Sequence, residues 1–109
     1  ATTNQTLSNL EKERMLLNAI KDFNVNLEFT PSDMKLVHNR GLAYQEYGLL
    51  KCTKGNENYN RSLALNAINL SIIDFQKVLD EYGYRKDIIS SIDKSKKAAS
   101  ELKYLRSET

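Results

Sequence analysis

Residues 19–31 read AIKDFNVNLEFTP and residues 71–83 read SIIDFQKVLDEYG. Both fit the frame [AS]-I-x-D-F-x-x-x-L-[ED], with starts at Ala19 and Ser71, 52 residues apart. The apolar positions of the frame fall at three- and four-residue steps, the period of one face of an α-helix. Two such faces in a chain of 109 residues require further helices to cover them, because an amphipathic helix is stable only when its apolar stripe is buried. One Pro and four Gly are too few for the turns of a β-sandwich or barrel. The reading is therefore an all-α single domain over 1–109.

Helix boundaries follow from caps and breakers. Residues 1–7 read as a polar tail. Ser8, with Glu11 three residues on, forms a capping box, and Leu10, Leu17, Ile20, Phe23 and Leu27 mark a helix face over about 8–27. Thr30-Pro31-Ser32-Asp33 predicts a second start, with Thr30 as cap and Pro31 in the first turn. The second helix runs to about Leu50 with Met34, Val37, Gly41, Tyr44 and Gly48 on one stripe. A mid-helix Gly41 costs about 1 kcal/mol against Ala, so its position predicts close approach of a neighbour. Residues 51–61, KCTKGNENYNR, read as a loop. Ser62 is the expected cap of a third helix over about 62–82, apolar almost all round and hence flanked by neighbours, ending at Gly83. The fourth spans about 85–106 with Ile88, Ile89, Ile92, Ala99, Leu102 and Leu105 inward, thinning at Ser95, and Lys94, Lys97 and Glu101 toward water.

The landmarks resemble the tetratricopeptide repeat, a pair of antiparallel helices with small and large residues at fixed spacings. Gly41, Tyr44 and Gly48 match the first-helix landmarks. Ser71, Ile72, Phe75, Val78 and Leu79 match those of the second helix, as do Ala19, Ile20, Phe23 and Leu27, with Pro31 at the closing proline. The resemblance covers about 19–83, one and a half repeats with an insertion between Leu50 and Ser71. The Trp position holds Val37 and the Leu position holds Arg40, a cation near the expected interior. An up-down four-helix bundle is the alternative architecture.

The resemblance implies a non-catalytic protein-interaction or scaffold module. Its groove face would present Lys35, His38, Asn39, Leu42 and Gln45 to another protein or peptide, together with the 51–61 loop. Tyr47, Tyr59, Tyr82 and Tyr84, near the loop and the 83 junction, are candidate interface anchors. The alternative is an anionic surface, nucleic acid or acidic lipid, bound through Lys86, Lys94, Lys96, Lys97, Lys103 and Arg106. Asp87, Asp93, Glu101 and Glu108 interleave with these cations, and Tyr104 is the one aromatic beside them. A formal charge of +2, from 16 cations and 14 anions, gives no strong field for nucleic acid.

His38 and Cys52 are the single His and single Cys, so no disulfide, multi-Cys zinc site or catalytic set is predicted; no cofactor and no metal is expected. No motif for nucleotide or zinc-peptidase chemistry occurs, and no apolar run approaches the ~20 residues of a membrane span. The lead ATTNQT lacks both Met and an apolar signal core, suggesting a trimmed or processed chain of cytoplasmic or exported location.

Overall fold

The computed structural model describes residues 8–53 and 59–106, with side chains described up to residue 103. It is all-helical there: α1 (Asn9–Phe29), α2 (Met34–Lys51), α3 (Arg61–Tyr82) and α4 (Lys86–Arg106). Each helix packs against the next in chain order. Contacts of Glu13 with Lys51 and of Asn24 with Arg40 run α1 and α2 antiparallel. The principal extents are 41 × 37 × 23 Å, and the shortest equals about two helix diameters.

The caps show which acceptors win. Ser8 closes the predicted capping box, its Oγ accepting from the Glu11 N–H and its own N–H donating to the Glu11 carboxylate. The second start is a correction: α2 begins at Met34, and its cap is Asp33, whose carboxylate accepts from the Lys35 and Leu36 N–H groups. Thr30 instead finishes α1 by bonding the Asn26 carbonyl. Pro31 then sits second in a turn closed by the Asp33 N–H on the Thr30 carbonyl at 3.1 Å, where its fixed φ fits. Asn60, not Ser62, caps α3 by accepting from the Leu63 N–H. Asn60 also donates its N–H to the Lys51 carbonyl at 2.8 Å, so the connection closes on itself at its base. Gly83 ends α3 at φ 81°, a conformation that costs a side chain energy.

Two apolar clusters form the core. Leu27, Met34, Val37, Phe75, Val78, Ile88 and Ile92 make one. Ile20, Ala43, Tyr47 and Ala67 make the other, with Leu16, Phe23 and Tyr44 against it. The doubled frame thus enters two environments: Phe75 is fully buried, Phe23 half-buried. The outermost helix has a neighbour on one side only, which is why α1 also leaves Leu10 and Leu17 of its expected inner face exposed. The third helix is not walled in all round either, since Leu63 and Ile73 face solvent.

Gly41 and Gly48 set the α2–α3 spacing. A Cβ on Gly48 would lie 2.7 Å from Ile68 and 3.0 Å from the Ala64 carbonyl oxygen; one on Gly41 would lie 2.9 Å from the Phe75 ring. The α4 seam, apolar at Ile88 and Ile92, turns polar at its middle. Ser95, fully buried where the apolar stripe thins, bonds the Ser71 hydroxyl at 2.8 Å, and the Gln45 amide donates to Ser95 Oγ and the Ser91 carbonyl. Ser71 also donates to the Ile68 carbonyl. This chain of bonds joins α2, α3 and α4.

Candidate functional site

The five residues expected on one groove face do not share one environment. Lys35, Asn39 and Leu42 are exposed and His38 is half-buried, its ring edge-to-face with Phe75. Gln45 is a correction: it is buried beneath α4, because its amide finds two acceptors there. Tyr47 is likewise corrected from interface anchor to core, where it packs with Ile20 and Ala67. Tyr59, Tyr82 and Tyr84 are exposed. Much of the 51–61 segment, residues 54–58, lies outside the described residues.

The faces of α2 explain this division. Gly41 and Gly48 point at α3, Ala43 and Tyr47 belong to the cluster shared with α1, and Gln45 points at α4. What is left is the strip Lys35, Asn39, Leu42, Glu46, Leu49, at steps of four and three residues. Every member is exposed or half-buried. With Thr53 just beyond, the strip is about 27 Å long at 1.5 Å per residue.

At the C-terminal end of that strip a groove of about 630 Å³ opens. Its α1 wall is Lys12, Met15, Leu16 and Ala19. Glu46, Leu49, Leu50 and Thr53 form its floor, and Lys94 of α4 stands at the rim. The volume and the apolar lining with few charges match those of ordinary ligand and peptide sites. Sequence reasoning missed this groove, because Met15, Ala19 and Lys94 meet only through tertiary packing. At the other end of α2 a second cleft lies between Met34, Lys35, His38, Val78, Tyr82 and Arg85.

Two ion pairs fix α2 in place. Arg40 makes a two-pronged contact with Asp74 at 2.9 and 2.8 Å, and its third nitrogen donates to Asn24 at 2.8 Å. The Asp74 carboxylate therefore holds the guanidinium pKa up. Lys51 pairs with Glu13 at 3.0 Å; both are buried, and Glu13 Oε2 has no hydrogen-bond partner.

Cys52 and His38 lie fourteen residues apart along α2 and its C-cap, about 21 Å, too far for a nucleophile–base pair. Burial raises the Cys52 thiol pKa, with Glu101 adding to the rise. Among the described residues no three His, Cys, Asp or Glu side chains group to hold a metal. The exposed cations Lys86, Lys94, Lys96, Lys97 and Lys103 are spread around the outward arc of α4 at about 100° per residue, among the equally exposed Asp87, Asp93 and Glu101. The Arg106 and Tyr104 side chains and Glu108 lie outside the described residues. No described helix is long and apolar enough to cross a membrane. Comparison with protein-family models, with curated proteins and with solved structures finds no match.

Proposed function

We propose that this chain is a non-catalytic protein-interaction module with tetratricopeptide-like helical packing, and that it takes a partner segment along the uncovered strip of α2. The observation that supports this reading is the groove beside α1. Leu16, Leu49 and Leu50 line it half-buried, Met15 stands 58% exposed at its wall, and charge is confined to Lys12, Glu46 and Lys94. Apolar surface of that kind, rimmed by charge, is what a binding surface presents. The strip has the length to hold about eight residues of extended chain at ~3.3 Å each, with the partner's apolar side chains entering between Met15 and Leu49.

Site-specific photo-crosslinking tests the reading. A benzophenone side chain at position 15 or 42 is expected to label the same partner segment, mapped by mass spectrometry. One at position 73, exposed on α3, is expected to leave it unlabelled. The mapped segment, synthesised as a peptide, should lose binding to Leu49→Glu. Labelling from position 73 alone, or binding indifferent to Leu49→Glu, would overturn the proposal.

A further inference from the structure

The second cleft, at the α3–α4 corner, differs from the groove in chemistry. Its volume is about 540 Å³, and six residues line it: Met34, Lys35, His38, Val78, Tyr82 and Arg85. Met34 and Val78 are buried and form an apolar floor, while Tyr82 is 61% exposed and offers a ring as a wall. Two of the six side chains are permanent cations, one is a histidine, and none is a carboxylate.

Two acids that neighbour the lining in sequence are already engaged, and Glu81, beside Tyr82, is exposed. Asp33 accepts from the first N–H groups of α2, and Asp87 is paired with Arg85 at 2.9 and 3.3 Å. That second contact lowers the Asp87 pKa and offsets much of the Arg85 charge. Lys35 has no side-chain partner among the described residues, and the His38 ring reaches the cleft with one edge against Phe75. Lys35 therefore presents a positive charge with no ion pair among the described residues, set above an apolar floor and beside an aromatic ring.

We infer that this cleft binds a small organic monocarboxylate with an aromatic or aliphatic body. The carboxylate would accept from the Lys35 ammonium and from the Arg85 nitrogen left over by Asp87, and the apolar body would lie on Met34 and Val78 against Tyr82. A neutral apolar molecule would gain nothing from the Lys35 charge. The cleft and the groove lie about 20 Å apart along α2, measured from residue 36 to residue 49 at 1.5 Å per residue, and the cleft shares with the strip only its first residue, Lys35.

The test is a ¹H–¹⁵N NMR titration of the full 109-residue chain with 4-phenylbutyrate, and with 4-phenylbutan-1-ol as the uncharged control. Phenylbutyrate is expected to shift the amides of residues 34–38 and 78–86 and to leave those of the groove in place. The alcohol and the Lys35→Glu variant should each bind at least about tenfold more weakly, the alcohol losing both charge-assisted contacts and the variant losing one. Lys35 is exposed, so this variant keeps the fold, and its unperturbed spectrum elsewhere checks that. Equal binding of acid and alcohol, binding indifferent to Lys35→Glu, or shifts confined to Met15 and Leu49 would overturn the inference. Because crosslinking reads the groove and titration reads the cleft, either can fail while the other stands.

Discussion

Arg40–Asp74 and Glu13–Lys51 both clamp α2 to a neighbour, yet they are built differently. At Arg40 the guanidinium is matched nitrogen by oxygen, with Asn24 of α1 taking what Asp74 leaves. At Lys51 one hydrogen bond is made and a carboxylate oxygen is stranded in a buried site. Arg has a planar fork that fits a carboxylate edge to edge, whereas Lys is a point charge that satisfies one oxygen at a time. Burying a charge is tolerable only when its hydrogen bonds are complete. The first clamp therefore locks the helices, while the second costs nearly what it returns.

Substitutions sharpen that contrast. The largest effect is expected from Asp74→Ala, which leaves a half-buried guanidinium facing the core. Urea unfolding should show a loss of about 3 kcal/mol, the low end for a broken buried pair because Arg40 keeps some solvent. The double change Glu13→Leu with Lys51→Met should instead leave stability equal or raise it by about 1 kcal/mol. If the double variant is as unstable as Asp74→Ala, the two clamps are equivalent and the contrast fails.

A smaller loss is expected from Gly48→Ala. The added methyl meets the Ala64 carbonyl at 3.0 Å, and backbone there gives way poorly. Overpacking at ~1–3 kcal/mol opposes a helix-propensity gain of about 1 kcal/mol, so a net loss of about 1 kcal/mol should appear in the same assay. A gain would show that α2 and α3 are less tightly apposed.

The smallest effect belongs to Ser8→Ala, worth about 1 kcal/mol or less at an exposed cap. Hydrogen bonds from Ser8 hold the Glu11 pKa below its usual 4.5. A depressed carboxylate contributes stability above its unfolded pKa and loses it as pH falls through the folded value. The residue-8 backbone N–H, the main donor to the Glu11 carboxylate, survives in Ser8→Ala, so the Glu11 titration should move only part of the way back toward 4.5 by NMR, and that part of the acid limb should flatten slightly. An unchanged Glu11 titration would break the assignment.

Helix number, order and approximate limits were legible because periodicity and breakers are local signals. α2 and α3 start one to three residues from where local signals put them, since Thr30 and Asp33, or Asn60 and Ser62, compete for one role, and the chain path before the helix decides between them. Of the proposed groove residues, Lys35, Asn39 and Leu42 do face solvent. Gln45 and Tyr47 do not, because helical spacing tells which residues share a face and not which neighbour covers it. Arg40 looked awkward for the same reason: its answer, Asp74, lies 34 residues away.

By itself the sequence determined four helices, the small residues at which two of them meet, and the lack of a Cys–Cys bridge. Those follow from single-residue chemistry and short-range spacing. Only the tertiary structure decided that a serine gap in α4 is a buried bonded seam, that α2 keeps one bare strip, and that a groove and a cationic cleft lie at its two ends. Each of these needs side chains from two or three helices. Their meeting is set by packing, and packing is decided by the whole chain at once.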